Sequence, residues 1–179
     1  MVLSASANCA RVRPDVGIWT RLAGAGSHDF GCAVAADGFG SGVVAGATQG
    51  TAAGSNAGRF DLFIAKYDAA GNRLWARQRG TTEREFAHGV ATDIRGDIYV
   101  TGYTGSGLDG NTWYGSWDVF LMKFDSAGNW QWTRQDGTGR EDEGRAITTD
   151  SSGNVFITGC VRGEYLFSVL TGLRGRSVS

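Results

Sequence analysis

Short apolar segments alternate with glycine-rich turns along most of the chain. Their residues are largely β-branched or aromatic, and several segments recur with the same order of apolar and polar positions. The recurring segments are DLFIAKYD (61–68) and DVFLMKFD (118–125), WARQRG (75–80) and WTRQDG (132–137), HGVATD (88–93) and RAITTD (145–150), and DIYVTG (97–102) and NVFITG (154–159). Segments of this length and composition, bounded by turn residues, predict β-strands. We therefore expect an almost all-β chain of ten or eleven strands, without a long helix in the repeats.

The same residues return at an interval of 56 to 57 positions. Three tryptophans are each followed by an aspartate after 18 residues and by a glycine after nine more (Trp19, Trp75, Trp132; Asp37, Asp93, Asp150; Gly46, Gly102, Gly159). A fixed period of this size indicates tandem structural repeats. The chain divides into a non-repeat segment (1–18), two full repeats (19–74 and 75–131), a partial repeat (132–160) and a divergent tail (161–179).

Five D-x-x-G sequences lie between the predicted strands. They begin at Asp37, Asp68, Asp93, Asp125 and Asp150. Aspartate at the first position of a turn accepts a hydrogen bond from the backbone two residues on, and glycine at the last position adopts a positive φ without strain. These sequences therefore predict hairpin turns. Four strands in each repeat is the size of one propeller blade.

The combined pattern D-x-F-[IL]-x-K-[YF]-D-x-x-G-N…W-x-R-Q-x-G…D-x-x-G-[DN]-x-[YF]-[VI]-T-G resembles the bacterial SBBP β-propeller repeat family. The resemblance extends from about Trp19 to Gly159, and the first repeat departs from the pattern at Leu22, Gly42 and Ala47. It implies a propeller, often within a large bacterial protein that is secreted or displayed on the cell surface. It implies no set of catalytic residues.

These repeats predict an all-β fold, a partial β-propeller of about 2.5 to 3 four-stranded antiparallel blades. Closed propellers usually have four to eight blades, so we do not expect this chain to close on itself. The uncovered flanks of its end blades are then available to other propeller blades or to copies of the same chain.

Composition and charge narrow the range of partners. The chain has 29 glycines, six tryptophans and nine phenylalanines, and its 17 basic and 18 acidic residues give a net charge of −1. Interleaved charges of both signs give no reason to expect nucleic acid as a partner. No apolar run has the length of a membrane span, and the first residues lack the pattern of a signal peptide. An extracellular or cell-surface location is implied by the family resemblance alone.

No residue set in the sequence predicts catalysis, a cofactor or a metal. The two histidines, His28 and His88, occupy unlike repeat positions, and Cys9, Cys32 and Cys160 form no CxxC pair. A zinc site needs three or four such ligands together. The motifs of nucleophile elbows, zinc proteases and phosphate-binding loops are also missing from the sequence. We therefore expect no catalytic residues, no metal site and no cofactor.

Aromatic residues of one long loop are the first candidate for ligand binding. If the strand rich in glycine and alanine is innermost, all D-x-x-G turns share one face and the long loops share the other, which is then the variable binding face. The loop at 103–117 carries Trp113, Tyr114 and Trp117. These rings can stack on a sugar or on apolar groups of a protein partner. The alternative is that they cover the edge of their own blade.

A repeated acidic position is the second candidate. Asp29, Glu85 and Asp142 stand just before the innermost strand in successive repeats. In a closed ring they would form a circle of carboxylates near the mouth of the channel, where they could bind a ligand. The alternative is that each carboxylate accepts a hydrogen bond from the backbone of a neighbouring blade or from a repeated arginine.

Other repeated residues predict structural roles. The tryptophans that begin the repeats are expected in the core between blades (Trp19, Trp75, Trp132). The lysines and arginines at equivalent positions are expected to pair with repeated acids across strands or at the surface (Lys66, Lys123, Arg77, Arg134).

The sequence favours a non-catalytic binding or structural scaffold module, as a fragment of a larger bacterial surface or secreted propeller protein, with a protein or carbohydrate ligand. The alternative is a propeller glycosidase or lyase with an axial active site, and a truncated fragment without a function of its own is the third possibility. An enzyme would bring unlike residues from different blades into one site. The repeats present like residues at like positions, which favours the binding module.

Overall fold

The computed structural model describes residues 19–21, 24 and 26–161, together with the backbone of 164–170. In this part of the chain eleven strands form three antiparallel sheets. The first sheet contains β1 (Asp29–Ala36), β2 (Gly42–Thr48), β3 (Asp61–Tyr67) and β4 (Arg73–Arg79). The second sheet contains β5 (Glu85–Thr92), β6 (Ile98–Thr104), β7 (Asp118–Phe124) and β8 (Trp130–Asp136). The third sheet contains β9 (Asp142–Thr149), β10 (Val155–Val161) and β11 (Glu164–Leu170). The predicted all-β fold of partial propeller type is confirmed. One short 3₁₀ turn, Leu108–Gly110, is the sole helical element of the described residues. The predicted non-repeat segment 1–18, with Cys9, lies outside them.

Each sheet is built from strands that are consecutive in sequence, and the first strands of the three sheets contact one another in the order β1, β5, β9. This confirms that the strand rich in small residues is innermost. Small residues are required there because the backbones approach closely. A Cβ placed on Gly89 of β5 would lie 3.0 Å from the side chain of Ile147 in β9. One placed on Gly144 of β9 would overlap the side chain of Thr101 in β6.

The sheets are out of phase with the sequence repeats. Trp75 lies in β4 and Trp132 in β8, which are the last strands of the first and second sheets. A repeat that begins at such a tryptophan therefore starts with the outermost strand of one blade and continues with the inner strands of the next. Each repeat in this way joins two blades.

The five D-x-x-G sequences form the predicted turns between paired strands. In the turn between β3 and β4 the carboxylate of Asp68 accepts hydrogen bonds from the backbone N–H of Ala70 (2.9 Å) and of Asn72 (2.8 Å). The side-chain amide of Asn72 donates to the same carboxylate at 2.9 Å. The hydrogen bonds from the Asn72 side chain and backbone hold the pKa of Asp68 below its ordinary value. The turn is thus fixed by its own side chains.

Two apolar cores lie between neighbouring sheets. The larger core joins Leu62 and Ile64 of the first sheet to Val100, Phe120 and Phe124 of the second, and all five side chains are buried. The smaller core joins the second and third sheets and contains Tyr99, Leu121, Val155 and Ile157. Apolar burial of this kind is the main stabilising term of a fold, so each sheet depends on its neighbour.

The tryptophans at the repeat starts differ from the prediction. Trp19 is 39% exposed, and Trp75 and Trp132 are only partly buried at the margins of the two cores. Trp75 and Trp132 lie in the outermost strands of their sheets, and the indoles of Trp19 and Trp75 pack on the D-x-x-G turns at Gly71 and Gly128. The Trp75 ring lies over Gly128, which has a φ of +79°, and a Cβ there would come within 2.7 Å of the ring.

The repeated basic residues divide into two roles. Lys66 pairs with the repeated acid Asp37 as predicted, at 2.8 Å. Lys123 pairs at 2.8 Å with Asp97, whose equivalents in the other repeats are Ser41 and Asn154. Arg77 differs from the prediction, because its Nε donates to the carbonyl oxygen of Gly128 at 2.9 Å. Its guanidinium also lies 5.6 Å from the centre of the Trp75 ring. A backbone carbonyl, and not a carboxylate, is therefore its hydrogen-bond partner.

The contact between Trp75 and Gly128 gives a test of how strongly neighbouring blades are coupled. Gly128→Ala is expected to lower the free energy of unfolding by about 2–4 kcal/mol. The added methyl group would overlap the Trp75 ring, and alanine is strained at the positive φ of this position. Gly153→Ala is the matched control, since Gly153 has a φ of +82° and a Cβ there meets no heavy atom of the described residues within 4 Å. Urea denaturation should show a smaller loss for the control. Equal losses would mean that the ring contact contributes nothing.

Candidate functional site

The two ends of the strands differ in the kind of connection they carry. The D-x-x-G turns all lie at one end. The other end, which we call the loop face, carries the long connections 49–60 and 105–117 and the links between sheets, 80–84 and 137–141. This is the arrangement that the sequence predicted, and it concentrates the irregular segments on one surface.

A glutamine of the outermost strand holds each long loop in place. The side-chain oxygen of Gln78 accepts from the N–H of Ala53 at 3.1 Å, and its amide group donates to the carbonyl of Gly50 at 2.8 Å. Gln135 repeats this arrangement with the N–H of Leu108 (2.8 Å) and the carbonyl of Ser106 (3.0 Å). Both loops are thereby tied to the sheet below them.

The aspartate at the start of the third strand completes this support. Asp61 accepts from the Gln78 amide at 2.9 Å and from the N–H of Ala57 at 2.9 Å. Asp118 accepts from the Gln135 amide at 2.7 Å and from the N–H of Tyr114 at 2.8 Å. Because Asp118 fixes the backbone of Tyr114, the loop holds its aromatic residues at a defined place.

Asp109 links the longer loop to two blades. Its carboxylate forms an ion pair with Arg79 of the first sheet and accepts a hydrogen bond from Thr133 of the second. The Arg79 guanidinium also lies 4.6 Å from the centre of the Trp130 ring. Asp109 has a φ of +53°, a conformation that is uncommon for aspartate and costs backbone energy. These contacts compensate that cost.

The three aromatic candidates of this loop differ in exposure. Trp113 is 50% exposed and Tyr114 is 51% exposed. Trp117 is partly buried and stacks on Tyr103 at a centroid distance of 4.6 Å and an interplanar angle of 24°. Trp117 therefore covers part of its own blade, and ligand binding by these three residues stays a prediction. Trp113 and Tyr114 remain open to solvent.

Trp117 is also one end of a continuous row of rings that we call the aromatic band (Phe30, Phe60, Phe86, Tyr103, Trp117). Tyr103 stacks on Phe86 at 5.3 Å, and Phe86 contacts Phe60 at 4.9 Å and Phe30 at 6.0 Å between centroids. The band crosses from the second sheet to the first, and Phe30 at its far end is 45% exposed. A row of rings that is partly open to solvent offers a large apolar contact area.

Charged residues border the aromatic band. A cleft of about 570 Å³ lies beside Trp117 and is lined also by Arg59, Glu83, Arg84 and Trp113. Arg59 and Glu83 are 3.8 Å apart and both are well exposed, so neither is committed to a strong ion pair. The cleft therefore joins aromatic surface to charges of both signs.

The three repeated carboxylates differ in burial, and Asp29 is only partly buried. Glu85 and Asp142 are fully buried. Glu85 accepts from the N–H and hydroxyl of Thr81, each at 2.7 Å, and from the hydroxyl of Thr104 at 2.9 Å. Asp142 accepts from the N–H of Thr138, and Asp29 accepts from the hydroxyl of Thr48 at 2.5 Å. The contacts of Glu85 and Asp142 fix the links between sheets, and that of Asp29 joins β1 to β2. A ligand-binding role for the three acids stays a prediction.

Burial also sets the ionisation of Glu85. It raises the pKa of the Glu85 carboxyl above its ordinary value, against the opposing effect of the hydrogen bonds from Thr81 and Thr104. The nearby carboxylate of Asp61 raises this pKa further. Removal of a charged carboxylate from water is unfavourable, and the threonine donors repay part of the cost.

A β-bulge interrupts the innermost strand of every sheet at the same repeat position. The pairing registers skip one residue each time, and the skipped residues are Cys32 in β1, His88 in β5 and Arg145 in β9. Bulges redirect a side chain and are frequent beside functional sites. The repeats differ at this position, where a thiol, an imidazole and a guanidinium occur.

Two of the bulge residues, His88 and Arg145, are linked through Glu143 beside the aromatic band. The Glu143 carboxylate lies 2.6 Å from the Arg145 guanidinium and 3.8 Å from Nδ1 of His88. Burial lowers the pKa of the His88 imidazole, and Glu143 opposes this shift. The His88 ring also meets Tyr103 edge-on at 5.4 Å. Within the described residues no cluster of three or more His, Cys, Asp or Glu is placed to hold a metal ion.

The sequence did not lead to a prediction of the aromatic band or of the three bulge residues, Cys32, His88 and Arg145. Phe30 and Phe86 share one repeat position and were visible as a repeated phenylalanine, but the third repeat has Glu143 there. The bulge residues share a position three residues after the repeated acid. A search for positions where the repeats differ most, and not for those where they agree, would have found them.

Comparison with known proteins supports the repeat architecture. The family model of the SBBP β-propeller repeat matches residues 74–109 and 131–159, so the predicted resemblance is confirmed for segments of the second and third repeats. The uncharacterized WD repeat-containing protein L264 of Acanthamoeba polyphaga mimivirus is 29% identical over 125 residues, which are 59% of this chain and 9% of that protein. The regulatory protein FlaEY of Caulobacter vibrioides is 29% identical over 126 residues, 66% of this chain and 13% of that protein. The chain thus spans a small part of the length of both relatives.

Substitution of Glu85 tests the structural role of the repeated acids. Glu85→Ala is expected to lower the free energy of unfolding by about 2–4 kcal/mol at neutral pH, because the N–H and hydroxyl of Thr81 and the hydroxyl of Thr104 lose this acceptor and a cavity is left. Glu85→Gln is the matched control and should cost less, since its amide keeps an acceptor for the Thr81 N–H and the two hydroxyls can rotate to accept.

The difference in stability between the wild type and Glu85→Gln is expected to depend on pH. Because the pKa of Glu85 is raised in the folded chain, the folded state holds the proton more tightly than the unfolded state. The stability of the wild type relative to Glu85→Gln should therefore fall as the pH rises through the unfolded and then the folded pKa. Urea denaturation at about pH 3.5 and about pH 7 measures the difference. A wild-type advantage that grows with pH would contradict the burial argument.

Proposed function

Because residues 74–109 and 131–159 are SBBP β-propeller repeats, we propose that the chain is a non-catalytic binding module that recognises an extended segment of a protein partner on its loop face. The proposal takes the aromatic band as the main contact and Trp113 and Tyr114 as its outer contacts. Trp113 and Tyr114, which the sequence already proposed as candidates, join the aromatic band in this proposed surface.

The single observation that carries the proposal is the aromatic band itself. Five rings from two sheets form a continuous row. One end of the row is Phe30, which is 45% exposed, and the other end is Trp117, which lines a cleft together with Trp113. Contacts between proteins concentrate their binding energy in such aromatic residues. The loops around the band are fixed by Gln78 and Gln135, so little ordering of this surface is needed on binding.

A protein segment fits the surroundings better than a carbohydrate. Neighbouring rings of the band are tilted by 12° to 46°, so most of them offer edges as well as faces. The flanking groups are charged. Arg59, Glu83 and Arg84 line the cleft, and Glu143 lies beside Arg145. Apolar side chains of a peptide fill spaces between tilted rings, and its charged side chains pair with the flanking groups.

We also propose that these repeats act within a larger bacterial protein that is secreted or held on the cell surface. The family resemblance supports this location. The small share of each relative that the chain covers, 9% and 13%, supports repeats of this type as parts of longer proteins. No helix in the described residues has the length and hydrophobicity of a membrane span.

A second candidate function rests on the bulge positions. Cys32, His88 and Arg145 are unlike residues brought to one end of the innermost strands from three sheets. This is the property that an axial active site requires, so the propeller glycosidase or lyase stays the alternative. The acids proposed from the sequence are less suited to that chemistry, since Glu85 and Asp142 are fully buried.

The binding proposal predicts a loss of affinity on removal of the exposed ring. A peptide display library selected on the purified chain should yield sequences rich in apolar residues next to charged ones. Phe30→Ala should weaken the binding of a selected peptide more than about tenfold in calorimetry, as expected for a central aromatic contact. Phe39→Ala is the matched control, because Phe39 is 70% exposed and lies in the Asp37–Gly40 turn at the opposite end of the strands.

Either of two results would overturn this proposal. One is equal peptide affinity of the Phe30→Ala and Phe39→Ala variants. The other is a glycan array that gives selective binding while no peptide is selected.

The enzymatic alternative has its own test. A screen of the wild-type chain against glycans and polyuronates is expected to give no turnover. Turnover that disappears in His88→Gln but persists in the control variant His28→Gln would establish an axial active site. His28 serves as the control because it is not one of the bulge residues. Its Nδ1 lies 2.9 Å from the side-chain oxygen of Gln49.

A further inference from the structure

Two buried carboxyl groups meet between the first and second sheets, and we call them the carboxyl pair (Asp61, Glu85). Asp61 stands at the start of β3 and Glu85 at the start of β5, and both are fully buried. A Cβ placed on Gly80 would overlap Oδ1 of Asp61 and would lie 2.9 Å from Oε2 of Glu85. These two oxygen atoms are therefore neighbours, and only a glycine at position 80 leaves room for them.

Hydrogen-bond donors satisfy three of the four oxygen atoms of the carboxyl pair. Oδ2 of Asp61 accepts from the Gln78 amide and from a loop N–H, and both oxygens of Glu85 accept from threonine groups. Oδ1 of Asp61 is buried and has no hydrogen-bond partner among the described residues. A buried acceptor without a donor is costly. A proton on the neighbouring carboxyl group would supply the missing donor.

No positive charge neutralises the carboxyl pair. Within the part of the chain that the structure describes, neither Asp61 nor Glu85 forms an ion pair. The charged and titratable side chains of the surrounding segments have other partners or are exposed to solvent (His28, Asp29, Arg59, Arg79, Glu83, Arg84). Two neighbouring buried carboxylates repel each other, and retention of one proton removes this repulsion.

We propose that Asp61 and Glu85 hold one proton between them, and that this proton makes the junction of the first two sheets sensitive to pH. The proton lies between Oδ1 of Asp61 and Oε2 of Glu85, so that one carboxyl group donates and the other accepts. Burial raises the pKa of Glu85 and the Asp61 carboxylate raises it further, which agrees with retention of the proton. The unsatisfied Oδ1 atom is the observation behind this proposal, which does not depend on the proposed ligand.

The carboxyl pair fixes two segments of the loop face. Asp61 accepts from the N–H of Ala57 in the loop 49–60, and Glu85 accepts from the N–H of Thr81 in the link 80–84. Because the folded state raises the pKa of Glu85, the stability that the shared proton contributes is present at low pH and is lost as the pH rises through the folded pKa. Both carboxylates are then charged, and their repulsion loosens the two segments.

The junction between the second and third sheets repeats this arrangement. Asp118 and Asp142 occupy the equivalent positions and are fully buried. Oδ1 of each has no hydrogen-bond partner among the residues described. A Cβ placed on Gly137 would overlap Oδ1 of Asp118, as one on Gly80 would overlap Oδ1 of Asp61. The same sharing of a proton is therefore expected at this second junction.

Asp61→Asn tests the shared proton, because its amide reproduces the protonated pair. The amide oxygen can take the place of Oδ2, and the amide nitrogen at the place of Oδ1 can donate to Glu85. In urea denaturation at about pH 7.5 the variant should keep or exceed the wild-type midpoint. The wild type should lose stability relative to the variant between about pH 5 and about pH 8.

Asp68→Asn is the matched control for this substitution. Asp68 is a turn aspartate whose pKa is held below its ordinary value by the hydrogen bonds from Asn72. The charged form of Asp68 is therefore the stabilising one, and Asp68→Asn should lower the urea midpoint at about pH 7.5. The advantage of the wild type over this control should disappear on acidification, which is the opposite pH dependence.

Hydrogen exchange measures the effect on the loop face. The Ala57 and Thr81 amides should exchange faster in the wild type than in Asp61→Asn at about pH 8, and equally fast at about pH 5. A comparison at the same pH cancels the intrinsic pH dependence of exchange. Equal exchange of the two proteins at both pH values would show that the junction is not sensitive to pH.

Carbon-13 NMR of the glutamate side-chain carboxyl groups follows the proton in the wild type itself. The resonance that is missing from Glu85→Gln identifies Glu85, and it should titrate at a higher pH in the wild type than in Asp61→Asn. This titration stays decisive if Asp61→Asn fails to fold, since Glu85 must then titrate above the exposed glutamates. Three results would each overturn the proposal: titration of Glu85 together with the exposed glutamates, a loss of stability in Asp61→Asn as large as that in Asp68→Asn, or stabilisation of the wild type by Ca²⁺ that Asp61→Asn abolishes. The last result would make the carboxyl pair a cation site.

Discussion

The need of each sheet to bury its flank against the next sheet is the constraint on which the rest of the structure depends. Leu62 and Ile64 share one buried core with Phe120 and Phe124 of the second sheet. Equivalent positions are therefore apolar in every repeat, which explains the regular apolar strands. The small residues of the innermost strands follow from the same demand, since neighbouring blades converge there.

Buried polar groups at the strand ends hold the irregular loops against the packed sheets. Each loop-face connection ends on a carboxylate that is buried at the start of a strand, Asp61, Glu85, Asp118 or Asp142. Buried carboxylates are costly unless donors surround them. Here the donors are the N–H groups of the loops and the Gln78 and Gln135 amides. The same contacts that satisfy the acids therefore also fix the loops, so a long loop keeps a defined shape.

The parts of the fold that are encoded locally were predictable from the sequence. The Asp68 turn depends on residues within four positions, and strands such as Asp61–Tyr67 carry their own apolar pattern. The burial of Trp75 was not predictable in the same way, because it depends on the phase between repeats and sheets. Strand β11 was missed because two residues replace the loop before it, so the repeat spacing fails even though its EYLFSVL sequence fits the third-strand register.

The candidate site was harder to predict because it depends on differences between repeats. A repeat is recognised by agreement, and agreement marks residues that every blade needs, such as Asp61 and Asp118 or Gln78 and Gln135. Such residues have nearly the same environment in each blade and therefore carry packing and loop support. Specific recognition needs an asymmetric surface, and a nearly symmetric scaffold acquires one only where equivalent positions hold different side chains. Phe86 against Glu143 and His88 against Arg145 are such positions, and both pairs lie where the innermost strands meet the loop face. Selection can change these residues without disturbing the flank packing that holds the blades together, which is why the proposed binding residues and the architectural residues occupy separate positions in the same short repeat.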